Sequence, residues 1–381
     1  MSVLKKLEEE MREVGRGQRL GTFYRMAHVL TIMICGLLCN LQSISDIHKW
    51  AMATPTKKFF DEYFNIREIP CRAQFYNILA AVNPEKFNLA FIRWVQFLLA
   101  KSAKGMTISI DGKTICSTDQ LAPDNNPLHI ASAIISENNL VIGQLPCKTK
   151  ISESEAFCEL VKLLDIDGAI VVADALHCKK DSAKTVIAEG GDYLFVVKDN
   201  EPNLKADIEL FVQNENLEKF SKSEKNGGRI EKRTAYASKD IEWLENRDKW
   251  VNLSTIGAIH TEFEKDGKKS SEWHYYISSA SLTAENLLKH ARLEWAVESM
   301  HWMLDVHFAE DKTMVWDMNV QRSLNIMRKI ALNLAREYKR QVKPKSAING
   351  ILKDNLFDLN NLAYFLDFFA VKPNVTNLLI P

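Results

Sequence analysis

The chain has 381 residues, of which 46% are hydrophobic and 26% are charged, and its formal net charge is +0. This length allows two or three domains with buried cores, and a neutral chain has no global field that attracts nucleic acid, so such binding requires local patches. The seven cysteines form no CxxC pair, which argues against a disulfide framework or a zinc module and favours a reducing cytoplasm.

Residues 1–104 are predicted to form a helical N-terminal domain. The segments "VLKKLEEEMREV" and "NPEKFNLAFIRWVQFLLAK" carry apolar residues at helical spacing, and "SISDIHKWAMA" begins with capping candidates. Residues 26–42 are the most apolar run, but this run is short for a membrane span and follows a charged, non-signal N-terminus. We interpret it as a buried helix and expect no membrane partner. The domain is either a helical packing domain or a helix-turn-helix-like DNA-binding domain.

The pattern changes at residue 105. Three predicted strands, "MTISID", "LHIASAIIS" and "LVIGQLP", precede the helix "SESEAFCELVKLLDI". The strand "GAIVVADA", a helix, the strand "DYLFVVK" and a further helix follow. The order β-β-β-α-β-α-β-α is typical of the ribonuclease H-like fold, a mixed α/β sheet flanked by helices. We predict that this core covers residues 105–219 and 282–341.

A second change in pattern separates the two parts of this core. Residues 220–281 are rich in alternating strands and turns, which predicts a β-rich insertion of antiparallel hairpins outside the core. The helices "TAENLLKHARLEWAVESMHWMLDVHF" and "NVQRSLNIMRKIALNLAREYKR" follow. Residues 342–381 are expected to form a looser C-terminal tail.

Two aspartates end apolar strands of the predicted core. Asp111 follows "MTISI" and Asp174 follows "GAIVVA". If the two strands are neighbours, both carboxylates emerge at one edge of the sheet, where they repel each other and need a cation. Their oxygens suit Mg²⁺ or Mn²⁺, and two such ions about 3.5–4 Å apart would support phosphodiester chemistry. The alternative is that an aspartate only caps a helix or a turn.

A third carboxylate is expected from the helix that follows the sheet, and the residues alone leave the choice open. Several acids share one face of that helix or follow it directly. The alternative is an amphipathic core helix whose acids are solvated. The candidates are Glu294, Glu298, Asp305, Glu310 and Asp311.

Six segments, "SIDGK", "VVADA", "DYLFVVKDN", "YYISS", "RLEWAVESMHWMLDVHFAED" and "IALNL", occur in this order between residues 106 and 340. Together they resemble DDE transposases of the H-repeat-associated (ISAs-type) insertion-sequence family, and residues 20–100 resemble that family's N-terminal associated domain more weakly. The resemblance implies that Asp111, Asp174 and Glu298 are the catalytic and metal-binding triad. The family usually has histidine where this chain has Glu294, and asparagine where it has Ser299.

Basic and aromatic side chains near these carboxylates are candidate DNA contacts. Some follow a predicted strand and others lie on the last two long helices, where the alternative is an ordinary wet, basic helix face or a solvated loop. The predicted DNA contacts are Lys113, Lys198, Asn200, Arg292, His301, Trp302, Arg322, Arg328 and Lys329.

These patterns and the resemblance together predict a DNA transposase. It would use two Mg²⁺ (or Mn²⁺) ions to cleave insertion-sequence ends and to join the 3′-hydroxyl to target DNA. The alternatives are a domesticated nuclease or recombinase, and a non-catalytic DNA-binding protein on a transposase scaffold. The expected partners are double-stranded DNA and a second copy in a homodimer on DNA, within the bacterial cytoplasm and nucleoid. No glycine-rich phosphate loop occurs, so no nucleotide cofactor is expected.

Overall fold

The computed structural model describes residues 1–15, 25–99, 103–118, 127–147, 153–214, 217–226, 229–265 and 268–371. Buried apolar side chains from the first helices, from the sheet and from the last helices belong to one continuous core. Within these ranges no helix combines the length and the apolar character that a membrane span requires.

The described residues contain helices at both ends of the chain and strands between them. The helices are α1 (Val3–Val14), α2 (Met26–Leu38), α3 (Ile44–Ala51), α4 (Thr54–Phe64), α5 (Arg72–Ala80), α6 (Pro84–Leu99), α7 (Glu153–Leu163), α8 (Lys180–Ala188), α9 (Pro202–Asn214), α10 (Ala284–Leu293), α11 (Trp295–Phe308), α12 (Met318–Gln341), α13 (Ile348–Phe357) and α14 (Leu359–Val371). The strands are β1 (Thr107–Thr114), β2 (His129–Ile135), β3 (Leu140–Cys147), β4 (Ile170–Ala173), β5 (Asp192–Val197), β6 (Glu218–Asn226), β7 (Arg229–Ser238), β8 (Thr255–Lys265) and β9 (Lys268–Ser278).

The first five strands form a mixed sheet in the order β3-β2-β1-β4-β5. β1 is antiparallel to β2 and parallel to β4, and the parallel strands are joined through α7 and α8. β4 is short and apolar, and its last three residues are buried, as expected for a strand that is covered on both faces. The predicted ribonuclease H-like sheet flanked by helices is therefore confirmed.

Residues 220–281 are mainly β, and their strands extend the five-stranded sheet of the predicted core instead of forming a separate sheet. β9 pairs antiparallel with β5, and β8, β7 and β6 follow it in order, so the described strands form one nine-stranded sheet. Without β9, β5 would present an open edge of unpaired backbone groups. The insertion pairs with that edge through β9. It also places side chains of β7, β8 and β9 beside the ends of the core strands.

α12 is the helix around which the two ends of the chain pack. It contacts α2, α6, β3 and α13, and it is buried over most of its length. The helical prediction for the N-terminal region is confirmed, and α2 is the buried helix expected there. The expectation of a loose tail is wrong for residues 348–371, where α13 and α14 pack against α12, α2 and α1.

Candidate active site

The parallel pairing of β1 with β4 brings the two strand-ending aspartates to the same edge of the sheet. Ile110 lies opposite Ala173 in the register, and Asp111 and Asp174 are the residues that follow them. The Oδ1 atom of Asp174 accepts a hydrogen bond of 3.0 Å from the backbone N–H of Leu176 and so caps the short turn behind it. Because this cap uses Oδ1, the other carboxylate oxygen can bind a ligand, so Asp174 can cap the turn and bind a ligand at the same time.

A cavity of about 430 Å³ lies at this edge and is lined by Asp111, Asp174 and Glu298 together. Glu298 comes from the first turn of α11, which crosses the end of β1. Glu294, at the junction of α10 and α11, lines the same cavity. The opposite wall comes from the strands β7, β8 and β9, and its polar members are Arg233, Thr261, Glu272 and His274.

Burial and nearby acids raise the pKa of two carboxyl groups in this cavity. Burial, together with the nearby charges of Asp174 and Glu153, raises the pKa of Asp111 to about 6. Burial and then the charges of Asp174 and Asp111 raise the pKa of Glu294 to about 7. Like-charge repulsion of this kind is relieved by a divalent cation, and the carboxylate oxygens are the donors that Mg²⁺ and Mn²⁺ prefer. The residues present therefore fit a site for such ions.

A second group of acids lies beside the cavity but is already occupied by a lysine. Carboxylate oxygens of Asp305, Glu310 and Asp311 lie within 4.8 Å of one another. The ammonium group of Lys113 pairs with Asp305 and lies 3.0 Å from Glu310 and 3.2 Å from Asp311. Lys113 lies two residues after Asp111 and so shares its face of β1. Its ammonium group is engaged by these three acids, and its predicted DNA contact stays a prediction.

Two further predicted DNA contacts, Arg328 and Lys329, are only 1% and 2% exposed. The Nζ atom of Lys329 donates hydrogen bonds to Ser132 Oγ and Asn325 Oδ1, each at 2.9 Å. The prediction that these residues meet phosphates is wrong, because α12 is enclosed by helices and by the sheet on the sides that carry them. The alternative that these two residues lie on a solvated, basic helix face is also wrong, because both side chains are buried.

His301 faces the acids of the site instead of the solvent. Its side chain is 13% exposed, and its Nδ1 atom lies 3.7 Å from Asp111 Oδ2. Burial and the charges of Lys329 and Lys113 lower its pKa to about 3, so the ring is neutral at physiological pH. The DNA contact predicted for His301 stays a prediction, because its ring is mostly buried beside Asp111 but is not fully enclosed.

Asn200 anchors the turn that follows Asp174. Its side-chain amide donates to the carbonyl oxygen of Ala175 at 2.8 Å and to that of Cys178 at 3.2 Å. Its Oδ1 atom accepts from the backbone N–H of Lys198 at 3.3 Å. These bonds give Asn200 a structural role in holding the turn. The DNA contact predicted for this exposed residue stays a prediction.

The remaining predicted DNA contacts are at least partly open to solvent. Lys198 is exposed and lines the cavity, and Trp302 is 58% exposed on the face of α11 that also carries Glu298. Arg292 also lines the cavity and pairs with Glu224 of β6. The remaining member, Arg322, pairs with Glu85 of α6 at 2.7 Å.

Sequence reasoning missed a buried polar cluster on the other face of β1. Glu153, His129 and His177 converge there, although 24 residues separate the first two along the chain. Burial opposes ionisation of Glu153, but the hydrogen bonds and charges of the two histidines lower its pKa to about 2. The available signal was Gly112, because a glycine inside a strand often marks the close approach of another group.

Comparison with known proteins identifies the family to which this chain is similar. The family described as "Transposase DDE domain" matches residues 107–334, and the family described as "DDE_Tnp_1-associated" matches residues 15–95. YbfL and YhhI of Escherichia coli strain K12 are each 31% identical to this chain over 325 residues, which cover 82% of this chain and 85% of each relative. The name of YhhI associates it with the H repeat and with transposases.

A cryo-EM structure of the piggyBac transposase synaptic complex with hairpin DNA also matches, with 12% identity and a TM-score of 0.46 over 100% of this chain and 83% of that chain. This TM-score is below 0.5, so the fold assignment rests on the strand order described above and not on this match. The match to the transposase DDE domain covers more than half of the chain, and the two E. coli relatives extend it to most of the remainder. The chain therefore belongs to the transposase DDE domain family, among relatives associated with the H repeat.

Proposed function

We propose that the protein is a DNA transposase that cleaves the ends of an insertion element and joins the freed 3′-hydroxyl to target DNA. The observation that carries this proposal is the parallel register of β1 and β4, which sets Asp111 and Asp174 side by side in a cavity that Glu298 also lines. Acids concentrated in this way suit divalent ions and phosphodiester chemistry better than acid–base chemistry on a neutral substrate.

Strands position two carboxylates of the proposed triad, and a helix positions the third. Asp111 and Asp174 are fixed by hydrogen-bonded strands, whereas Glu298 is carried by a helix that packs across β1. Two Mg²⁺ or Mn²⁺ ions held by the three carboxylates would activate the attacking oxygen and stabilise the leaving oxygen. The mostly buried ring of His301 lies 3.7 Å from the Asp111 carboxylate on the side of α11.

Double-stranded DNA is the proposed partner, bound as element ends and as target. Lys198 and Arg292 lie in the wall of the cavity, and Trp302 is exposed one helical turn beyond Glu298 on α11. Arginine and lysine contacts to phosphates position a duplex, and an exposed tryptophan can stack on a base. We propose that two copies act together on DNA, since an element has two ends.

The test uses the full chain and duplexes taken from the flanks of its own gene. With Mg²⁺ we expect strand cleavage at the element end, and with a second labelled duplex we expect joined products. Cleavage without joining would favour the nuclease alternative, and binding without either would favour a non-catalytic DNA-binding protein. Asp174→Asn is the catalytic control, and Asp181→Asn, at an exposed acid on α8, is the matched surface control.

A further inference from the structure

Three buried polar side chains form a cluster on the face of β1 opposite α11. The side chains of His129, Glu153 and His177 are 5%, 6% and 0% exposed. His129 Nε2 lies 2.6 Å from Glu153 Oε2, and His177 Nε2 lies 3.3 Å from Glu153 Oε1. One carboxylate therefore bridges two imidazole rings inside the protein.

The cluster connects the two segments that carry the aspartates. His129 begins β2, and its other ring nitrogen, Nδ1, lies 2.9 Å from the Oγ1 atom of Thr114 on β1. His177 ends the turn that Asp174 caps, and its ring stacks on Phe157 of α7 with centroids 4.6 Å apart. Glu153, the first residue of α7, thus links the end of β1 to the turn after β4.

Gly112 shows how closely the carboxylate approaches the strand. A Cβ atom at this position would lie 2.4 Å from the Cδ and Oε1 atoms of Glu153 and 2.6 Å from His129 Nε2. These separations are impossible for real atoms, so any side chain here would displace the cluster. The carboxylate of Glu153 is therefore packed directly against the backbone of the residue that follows Asp111.

Stability alone is a weak reason for this arrangement. A buried ion pair is often no more stabilising than well-packed apolar side chains of similar volume, whereas removing one member leaves an uncompensated charge. Groups behind a ligand commonly fix the orientation of that ligand, and their loss costs about 10–100-fold in metal affinity or activity. The position of the cluster, immediately behind both aspartates, matches the second role.

We propose that Glu153 is a positioning residue, which sets the separation and orientation of the Asp111 and Asp174 carboxylates through Gly112 and His177. This inference rests on the proposed function, because it assumes that the two aspartates bind divalent ions. Mg²⁺ demands near-ideal octahedral geometry, whereas Mn²⁺ takes the same oxygen ligands and should tolerate a distorted site better. Loss of the bridge should therefore change the selectivity between the two ions.

The test variant is Glu153→Gln, which keeps the size of the side chain and removes the charge. Metal binding is measured first by calorimetric titration of the full chain with MgCl₂ or MnCl₂ in the absence of DNA. We expect the Kd for Mg²⁺ to rise about tenfold while the Kd for Mn²⁺ stays within about threefold of wild type. The matched control is Glu155→Gln, which changes an exposed glutamate one residue beyond Ser154 on the same helix.

Cleavage assays with each metal form the second readout, and they should show the same preference for Mn²⁺. Equal losses with both ions, or no loss with either, would overturn the positioning role. If Glu153→Gln does not fold, Gly112→Ala makes the same test, because it displaces the carboxylate while keeping all three cluster residues. If the wild type binds Mg²⁺ but cleaves no DNA, the proposed function fails while the titrations still decide the role of Glu153.

Discussion

The Nζ atom of Lys113 lies 3.0 Å from the Oε2 atom of Glu310, a side chain that is only 1% exposed. This contact ties β1, which carries Asp111, to the segment that follows α11, which carries Glu298. Asp305 and Asp311 pair with the same ammonium group. The lysine two residues after Asp111 therefore acts as an internal counter-ion for three acids.

We predict that Lys113→Met destabilises the protein by about 3–5 kcal/mol, because removing one partner of a buried ion pair leaves uncompensated charge. Urea unfolding at neutral pH measures the free energy of unfolding. The matched control is Lys184→Met on α8, whose ion pair with Asp181 is exposed and separated by 3.6 Å. An exposed pair contributes about 0–1 kcal/mol, so a similar loss for both variants would contradict the prediction.

The second prediction concerns the pH dependence of stability at Lys329. Burial lowers the pKa of Lys329 in the folded protein to about 8, whereas an unfolded lysine has a pKa of about 10.4. Between these values the unfolded chain binds more protons, so this residue makes the folded state more stable as pH rises and less stable below about pH 8.

Lys329→Met should remove that dependence. Between about pH 7.5 and 9.5 the free energy of unfolding of the wild type should gain on the order of 2 kcal/mol relative to the variant. Lys353→Met, at an exposed lysine on α13, is the control and should track the wild type. Parallel pH profiles for the wild type and Lys329→Met would show that this lysine keeps its proton in the folded state.

The third prediction distinguishes two glutamates one helical turn apart. Glu298→Gln should bind DNA normally but lose cleavage and joining by orders of magnitude, because a metal-binding charge is removed. Glu294→Gln should keep substantial activity. Burial and nearby acids raise the pKa of Glu294 to about 7, so it is often protonated at neutral pH, and an amide resembles a protonated carboxyl group.

Mg²⁺-dependent cleavage of a duplex that bears an element end, measured for both variants side by side, checks this prediction. DNA binding is measured for the same samples in Ca²⁺, to separate recognition from chemistry. An inactive Glu294→Gln with an active Glu298→Gln would move the third carboxylate by one helical turn toward the start of α11.

The fourth prediction concerns Lys198, the exposed lysine in the wall of the cavity. If it contacts a phosphate, Lys198→Ala should weaken DNA binding and reduce the slope of log K against log salt by about 0.9. Lys162→Ala is the control, because Lys162 is exposed near the end of α7 that lies farthest from Glu153. An unchanged slope for Lys198→Ala would exclude the phosphate contact.

The central sheet could be predicted because its signals are local. The strand "MTISID", the hairpin after it and the short apolar strand "GAIVVADA" each carry their own pattern, and the order of elements then limits how they pair. The alignment of Asp111 with Asp174 follows from that order. Family resemblance, and not periodicity, selected Glu298 from the acids around it.

The errors share a different cause, which is pairing between distant parts of the chain. Lys329 looks like a residue of a wet helix face, but its partner Ser132 lies 197 positions away. The pairing of β9 with β5 likewise depends on an open edge that no local pattern reveals. Arg328 was misjudged because burial on several sides of a helix is decided by its neighbours and not by its own period.

The continuity of the sheet across β5 and β9 has a mechanical consequence. The strand residues that line the cavity, such as Asp111 of β1 and Thr261 of β8, belong to one hydrogen-bonded sheet, whose soft deformation is twist and not hinge rotation. A stiff duplex, with a persistence length of about 50 nm, would then have to do most of the bending to bring a phosphate to the acids. Sequences that kink or unstack easily should be preferred at the cut site, even where no side chain reads a base.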